Sequence, residues 1–276
     1  MFAILKLFAK KIYMTLLLAV DTGNSDTVFG LFQQEKCIFQ WRMQTSIKYS
    51  VAEYGLFLRT SLLEASIKLA DIQTVVYSSV VPLVTPIIQQ MLATLFTNDI
   101  IFVEPQIYDT LPIKPINKHE IGADLVANAT AAYTRYQSAC IVVDFGTALT
   151  FTTIANDGTL IGVAIAPGLK TALRALVQNT AQLPDVPLEI PTSALGKNTT
   201  QALQAGILLG YTGLVKELVT QIRTELKQPN CPIIATGGLA FVMKPLTNFF
   251  SEIDVNLTLD GLRIIGEMQR EKTHTA

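Results

Sequence analysis

The chain has 276 residues, 50% of them apolar and 16% charged, with a net charge of -1. That length buries a sizeable core and suits two domains, while the near-neutral balance offers no electrostatic footprint for nucleic acid or an anionic membrane, so small molecules are the expected partners. The 3 cysteines lack a C-x-x-C pair and the 2 histidines leave no material for a histidine triad, which excludes a disulfide scaffold, a zinc site and that class of hydrolase.

The cytoplasm is the expected compartment, and the low charged fraction leans towards a surface partly covered by another subunit. The first twenty residues imitate a secretory signal, with lysines ahead of an apolar run. No small-x-small cleavage site follows Ile12 to Val20, and removing the run would delete a strand. Met14 is expected to open the fold, leaving residues 1–13 as an extension or a misplaced start. No apolar run reaches the roughly eighteen residues that cross a bilayer.

The run Leu16 to Val20 is continuous and apolar, as in a strand buried on both faces. It ends in Asp21, and Gly23-Asn24 then supplies turn chemistry because both residues accept positive φ. Asp26 to Phe32 returns as a second strand, giving a β-hairpin with Asp21 at its tip. Asp21 either accepts backbone N–H bonds in the turn or belongs to a site.

A helix is expected over Glu53–Leu69, and another from Pro82 and Pro86 through Ile87, Ile88, Met91, Leu92 and Leu95. The stretch EPQIYDTLPIKPINKHEIG has three prolines and little periodicity and reads as a crossover, with His119 a solvated loop residue. Leu125, Val126, Ala129, Ala132, Tyr133 and Tyr136 then form a helical stripe with Gly122 and Asp124 at its start. Asp124 either satisfies the free N–H groups there, which would lower its pKa, or orients an alcohol as general base for phosphoryl transfer.

At residues 141–154 the sequence IVVDFGTALTFTTI repeats the first pattern: an apolar run, Asp144, a glycine and a second β-rich stretch. VVYSSVVP at 75–82 is echoed by IIATGGLA at 233–240, strands that stop in small residues where open α/β sheets bind ligands. A duplicated domain explains both echoes, and two D-x-G hairpins facing across a cleft make a nucleotide site, since turn N–H groups meet phosphates and carboxylates hold hydrated cations. IAPGLKTALRAL presents a helix N-terminus to that cleft. A further helix is capped by Asn198 or Thr199, and its Gly206, Gly210 and Gly213 would permit close helix packing. Lys170 and Lys197 are solvated or functional, and Gly237-Gly238 forms a strand-to-helix turn or a close approach to a nucleoside.

Taken in order, D-T-G-N-S, S-V-V-P, G-A-D, D-F-G-T-A-L-T, A-P-G, G-K-N-T and T-G-G resemble the motifs of the type III pantothenate kinases, from about Met14 to the LTLDGLRIIGE ending. The resemblance implies an α/β fold of two duplicated RNase H-like domains, the actin-like ATPase fold, around a nucleotide cleft. The first domain would span 14–121 with a phosphate loop at 21–28, and the second 122–276 with a phosphate loop at 144–150. It implies ATP-dependent phosphorylation of pantothenate, the first step towards coenzyme A.

By position, the resemblance assigns ATP to Asp21, Thr22, Gly23, Asn24, Ser25, Asp26, Thr27, Val28 and Thr147, with Asp21 reaching Mg²⁺ through water. Asp144 would bind a monovalent cation, K⁺ or NH₄⁺. Asp124 would be the proton acceptor, and Gly122, Ala123, Asp124, Leu125 and Thr199 would bind pantothenate, in a homodimer whose substrate pocket lies at the subunit interface. The departure is Leu125, where the family usually carries arginine. It motivates the alternative of a catalytically silent nucleotide-binding regulator, or an offset by Lys170, Lys197 or a residue of the second subunit.

Overall fold

The computed structural model describes residues 16–98 and 100–275, so residues 1–13 lie outside the described residues. The elements run β1 (Leu16–Thr22), β2 (Asp26–Gln33), β3 (Lys36–Gln44), α1 (Val51–Glu64), β4 (Ile72–Ser79), α2 (Thr85–Leu95), β5 (Ile100–Phe102), β6 (Lys114–Pro115), α3 (Ala123–Tyr136), β7 (Cys140–Phe145), β8 (Ala148–Ile154), β9 (Thr159–Pro167), α4 (Leu169–Gln178), α5 (Thr199–Gln204), α6 (Gly210–Leu226), β10 (Ile233–Thr236), β11 (Glu252–Ile253) and α7 (Leu257–Thr275). Helix α1 begins at Val51 because Ser50 and Glu53 form a reciprocal capping box.

The duplication is visible in the topology. The first sheet has strand order β3-β2-β1-β4-β5, and the second repeats it as β9-β8-β7-β10-β11 with β6 added at the β9 edge. In each, an antiparallel meander of three strands is followed by strands added in parallel. Asp21 on β1 is level with Ser78 on β4, and Asp144 on β7 is level with Thr236 on β10, so the paired echoes occupy equivalent positions.

Three apolar cores define the layers. Helices α1 and α2 cover the outer face of the first sheet, and α4 and α6 cover the outer face of the second. Helices α3 and α7 fill the space between the sheets, where Leu17, Ala19 and Val76 face Val142 and Ile234 across Val126, Ala127, Leu262 and Ile265. Two glycines of α7 allow this: a Cβ on Gly261 would lie 2.0 Å from the Ala127 carbonyl oxygen, and one on Gly266 would lie 2.4 Å from Val76 Cγ2.

Three local expectations are corrected. Neither Gly23 nor Asn24 takes a positive φ; the connection spans three residues and closes through Gly23 N–H donating to the Asp26 carbonyl, so no left-handed two-residue turn is needed. Gly206, Gly210 and Gly213, on a helix continued from α5 to α6 through a π turn, meet nothing within 4 Å of an added Cβ and do not mediate close packing within the chain. The helix expected to reach Leu69 ends at Glu64, ahead of a left-handed Ser66 with φ 59. His119 is exposed in the crossover, and no helix among the described residues is long and apolar enough to cross a membrane.

Candidate active site

Asp21 and Asp144 are the penultimate residues of the first strand of each duplicated sheet, where flanking strands shield them partly from water. Ser78 Oγ donates to Asp21 Oδ1 at 2.6 Å. Burial nevertheless pushes the Asp21 carboxyl up to about 7, with the charges of Asp124 and Asp144 adding to the rise. Asp144 is raised to about 6 by burial and by Asp124, against one bond from Asn128 Nδ2 to its Oδ2 at 3.1 Å.

Asp124 sits in the first turn of α3, and its Oδ1 accepts from the Leu125 backbone N–H at 2.8 Å. The expectation of a lowered pKa is corrected: burial outweighs the helix N-terminus and the carboxyl is raised. Gly122 leaves the space for it, since a Cβ there would lie 2.4 Å from Asp124 Oδ1. Gly237, at φ 89, plays the same part for Asp144, where a Cβ would lie 2.4 Å from Oδ1 and 2.7 Å from the Phe145 backbone.

The loops after the two aspartates meet. Ser25 Oγ and Thr147 Oγ1 are 2.8 Å apart, and the start of α4 holds the second loop through Gly168 N–H and Thr171 Oγ1, both donating to the Thr147 carbonyl. Asn24 and Ser25 are exposed at the first tip. Thr22 and Thr27 are buried, with the Thr27 hydroxyl bonded to Thr45, so their hydroxyls do not reach the surface. The Asp26 carboxylate is taken by Arg42. Val28 is half-buried against the central core. Ala123 is buried and Leu125 half-buried at the α3 start, whereas Thr199 opens α5 as an exposed residue outside this hydrogen-bonded group.

Among the described residues, no three His, Cys, Asp or Glu side chains converge as a ready metal cage. The surroundings of Asp144 still fit a hard cation. Thr150 on β8 and Thr236 on β10 are its lateral neighbours on one sheet face, and both have buried hydroxyl oxygens without a hydrogen-bond partner.

Ser78, Asn128, Thr150 and Thr236 carry no individual site signal in the sequence. The strand-end echo points to the neighbourhood of Ser78 and Thr236, and a polar residue within an alanine-rich stripe one turn after Asp124 is the available signal for Asn128. Tyr108, from the crossover, lies close enough to Asp124 that burial and that charge push its hydroxyl up to about 12.

Solved structures with this architecture include MreB 5 of Spiroplasma citri bound to AMPPNP, with a TM-score of 0.58 at 8% identity over 95% of this chain and 98% of that one. The ethanolamine utilization protein EutJ from Carboxydothermus hydrogenoformans has a TM-score of 0.53 at 12% identity over 91% and 90%. Type III pantothenate kinases of Anaeromyxobacter sp. (strain K) and Geobacter sulfurreducens are 40% and 38% identical, over 92% and 93% of this chain and 100% of each relative. The sequence model described as type III pantothenate kinase matches residues 17–221, and with the duplicated fold and its paired aspartates this establishes that the chain belongs to the type III pantothenate kinases.

Proposed function

We propose a set of residue roles for the reaction of this family, in which ATP phosphorylates the primary hydroxyl of pantothenate in the first step of coenzyme A synthesis. The observation that carries them is a set of three half-buried carboxylates, Asp21, Asp124 and Asp144, close enough for their charges to act on one another, beside two touching loops. ATP binds with its phosphates against the loop from Asp21 to Val28, chiefly at its exposed tip, and on the Thr147 hydroxyl. Mg²⁺ is held through water by Asp21, and K⁺ or NH₄⁺ by Asp144 with the hydroxyls of Thr150 and Thr236. When bound, these cations neutralise phosphate charge and favour the ionised carboxylates.

Asp124 accepts the substrate hydroxyl proton. Its burial at a helix N-terminus keeps a weakly solvated carboxylate aimed at the alcohol, and the transfer needs positioning more than a strong base. Gly122 to Leu125 line pantothenate. Thr199 is exposed in the protomer, so we assign its contact to the pocket of a second subunit. The exposed Ile161, Val163 and Ile165 on β9 supply an apolar face for that homodimer, and the compartment is the cytoplasm.

Leu125 cannot pair a carboxylate or phosphate, and Lys170, exposed beside the second loop, is the cation we assign to that task, ahead of Lys197. The test is phosphorylation of pantothenate by purified protein with Mg-ATP, with and without K⁺ or NH₄⁺, read as phosphopantothenate by mass spectrometry. Cation-dependent product is expected. ATP binding without product would overturn these roles in favour of a silent nucleotide-binding regulator.

A further inference from the structure

Asp144 is bonded by Asn128, which Thr258 bonds in turn, and the roles above use neither residue. Asn128 on α3 is 0% exposed, and its Nδ2 donates to Asp144 Oδ2 at 3.1 Å while its Oδ1 accepts from Thr258 Oγ1 at 2.8 Å. Chemistry fixes the direction of this chain. An ionised carboxylate only accepts, so the amide must turn its NH₂ to Asp144 and its carbonyl to Thr258, and the hydroxyl must then donate.

Thr258 reaches Asn128 because Gly261, one turn along α7, lies against the backbone of Ala127. Arg135, about two turns along α3 from Asn128, binds Glu252, Asp254 and Asp260 and ties the same two helices together at a second level.

We propose that Thr258 is a positioning residue that acts through Asn128 on Asp144, so that the C-terminal helix sets the orientation of an active-site carboxylate. This rests on the reading of Asp144 as a cation ligand. The test uses the full chain with Thr258→Val, which keeps the shape and removes the donor, Thr258→Ser, which restores it, and Asp144→Asn as reference. The readouts are the K⁺ concentration for half-maximal rate, the side-chain amide signals of Asn128 in cation-free protein by selective ¹⁵N labelling, and the melting temperature.

Thr258→Val is expected to raise the half-activating K⁺ concentration about 10- to 100-fold and to shift the Asn128 amide signals at an unchanged melting temperature, with Thr258→Ser restoring both. Parental behaviour of Thr258→Val beside an inactive Asp144→Asn would overturn the relay alone. Equal impairment of the Val and Ser variants with lowered melting would overturn it in favour of packing. Parental rate and K⁺ dependence in Asp144→Asn would overturn the relay together with the reading of Asp144.

Discussion

Ser25 Oγ and Thr147 Oγ1 lie 2.8 Å apart, one from the hairpin tip of each duplicated sheet. The contact joins the two halves of the molecule at their two glycine-containing turns, each closed by its glycine N–H, Gly23 donating to the Asp26 carbonyl and Gly146 to the Ala148 carbonyl. A phosphate that enters between the loops must replace it. Each hydroxyl then exchanges a neutral partner for a charged one, which strengthens the bond it makes.

Thr147→Val is therefore expected to raise the KM for ATP by roughly 10- to 100-fold, the equivalent of about 1.5–3 kcal/mol for a hydrogen bond to a charged group. Ser25→Ala should cost less, because backbone amides of its loop remain. Steady-state kinetics with ATP varied checks both, and an unchanged KM in the valine variant would remove Thr147 from the phosphate site.

Asp124→Asn should lower kcat by about 10²- to 10⁴-fold, the range for a lost general base, with ATP affinity measured by calorimetry little altered. Gly122→Ala should imitate it, since the new Cβ would lie 2.4 Å from Asp124 Oδ1 and the carboxylate must move. The displaced atom ends a flexible side chain, so melting should change little. A Gly122→Ala enzyme with parental kcat would show that the carboxylate orientation is not critical.

Much of the candidate site is legible in the sequence because its signals are local. An apolar run that ends in Asp-x-Gly identifies Asp21 and Asp144, and its repetition identifies the duplication. The pKa of Asp124 misleads because a helix N-terminus is a local rule, whereas burial is tertiary and outweighs it. Gly206, Gly210 and Gly213 mislead for a related reason: spacing says which residues share a face but not what that face meets. The bond from Thr258 to Asn128 joins residues 130 apart through the packing of α7 on α3, and no short-range pattern encodes it.

Leu125→Arg should change kcat/KM by less than about threefold, whereas Lys170→Met should lower it by roughly tenfold or more, the cost of a lost charge-assisted bond. The two variants separate the readings of the departure at Leu125. Substrate kinetics with pantothenate varied is the measurement, and a gain of orders of magnitude in Leu125→Arg would show that no other cation offsets the leucine.

The raised carboxyls fix the sign of the pH dependence. Asp21 at about 7 and Asp144 at about 6 stand above their ordinary 3.8, so the ligand-free folded chain binds more protons than the unfolded chain across that interval. Their contribution to stability is complete below about pH 4 and is lost as pH rises through 6 to 7. The melting temperature of ligand-free protein should fall between about pH 5 and pH 8. Asp21→Asn, which has no charge to bury, should flatten the fall. On the proposed roles, Mg-ATP with K⁺ would favour the ionised forms and should stabilise the protein more at the upper end of the range than at the lower. Calorimetric melting across the range, with and without ligands, checks all three statements. A parental slope in Asp21→Asn would show that this carboxylate does not carry the buried proton.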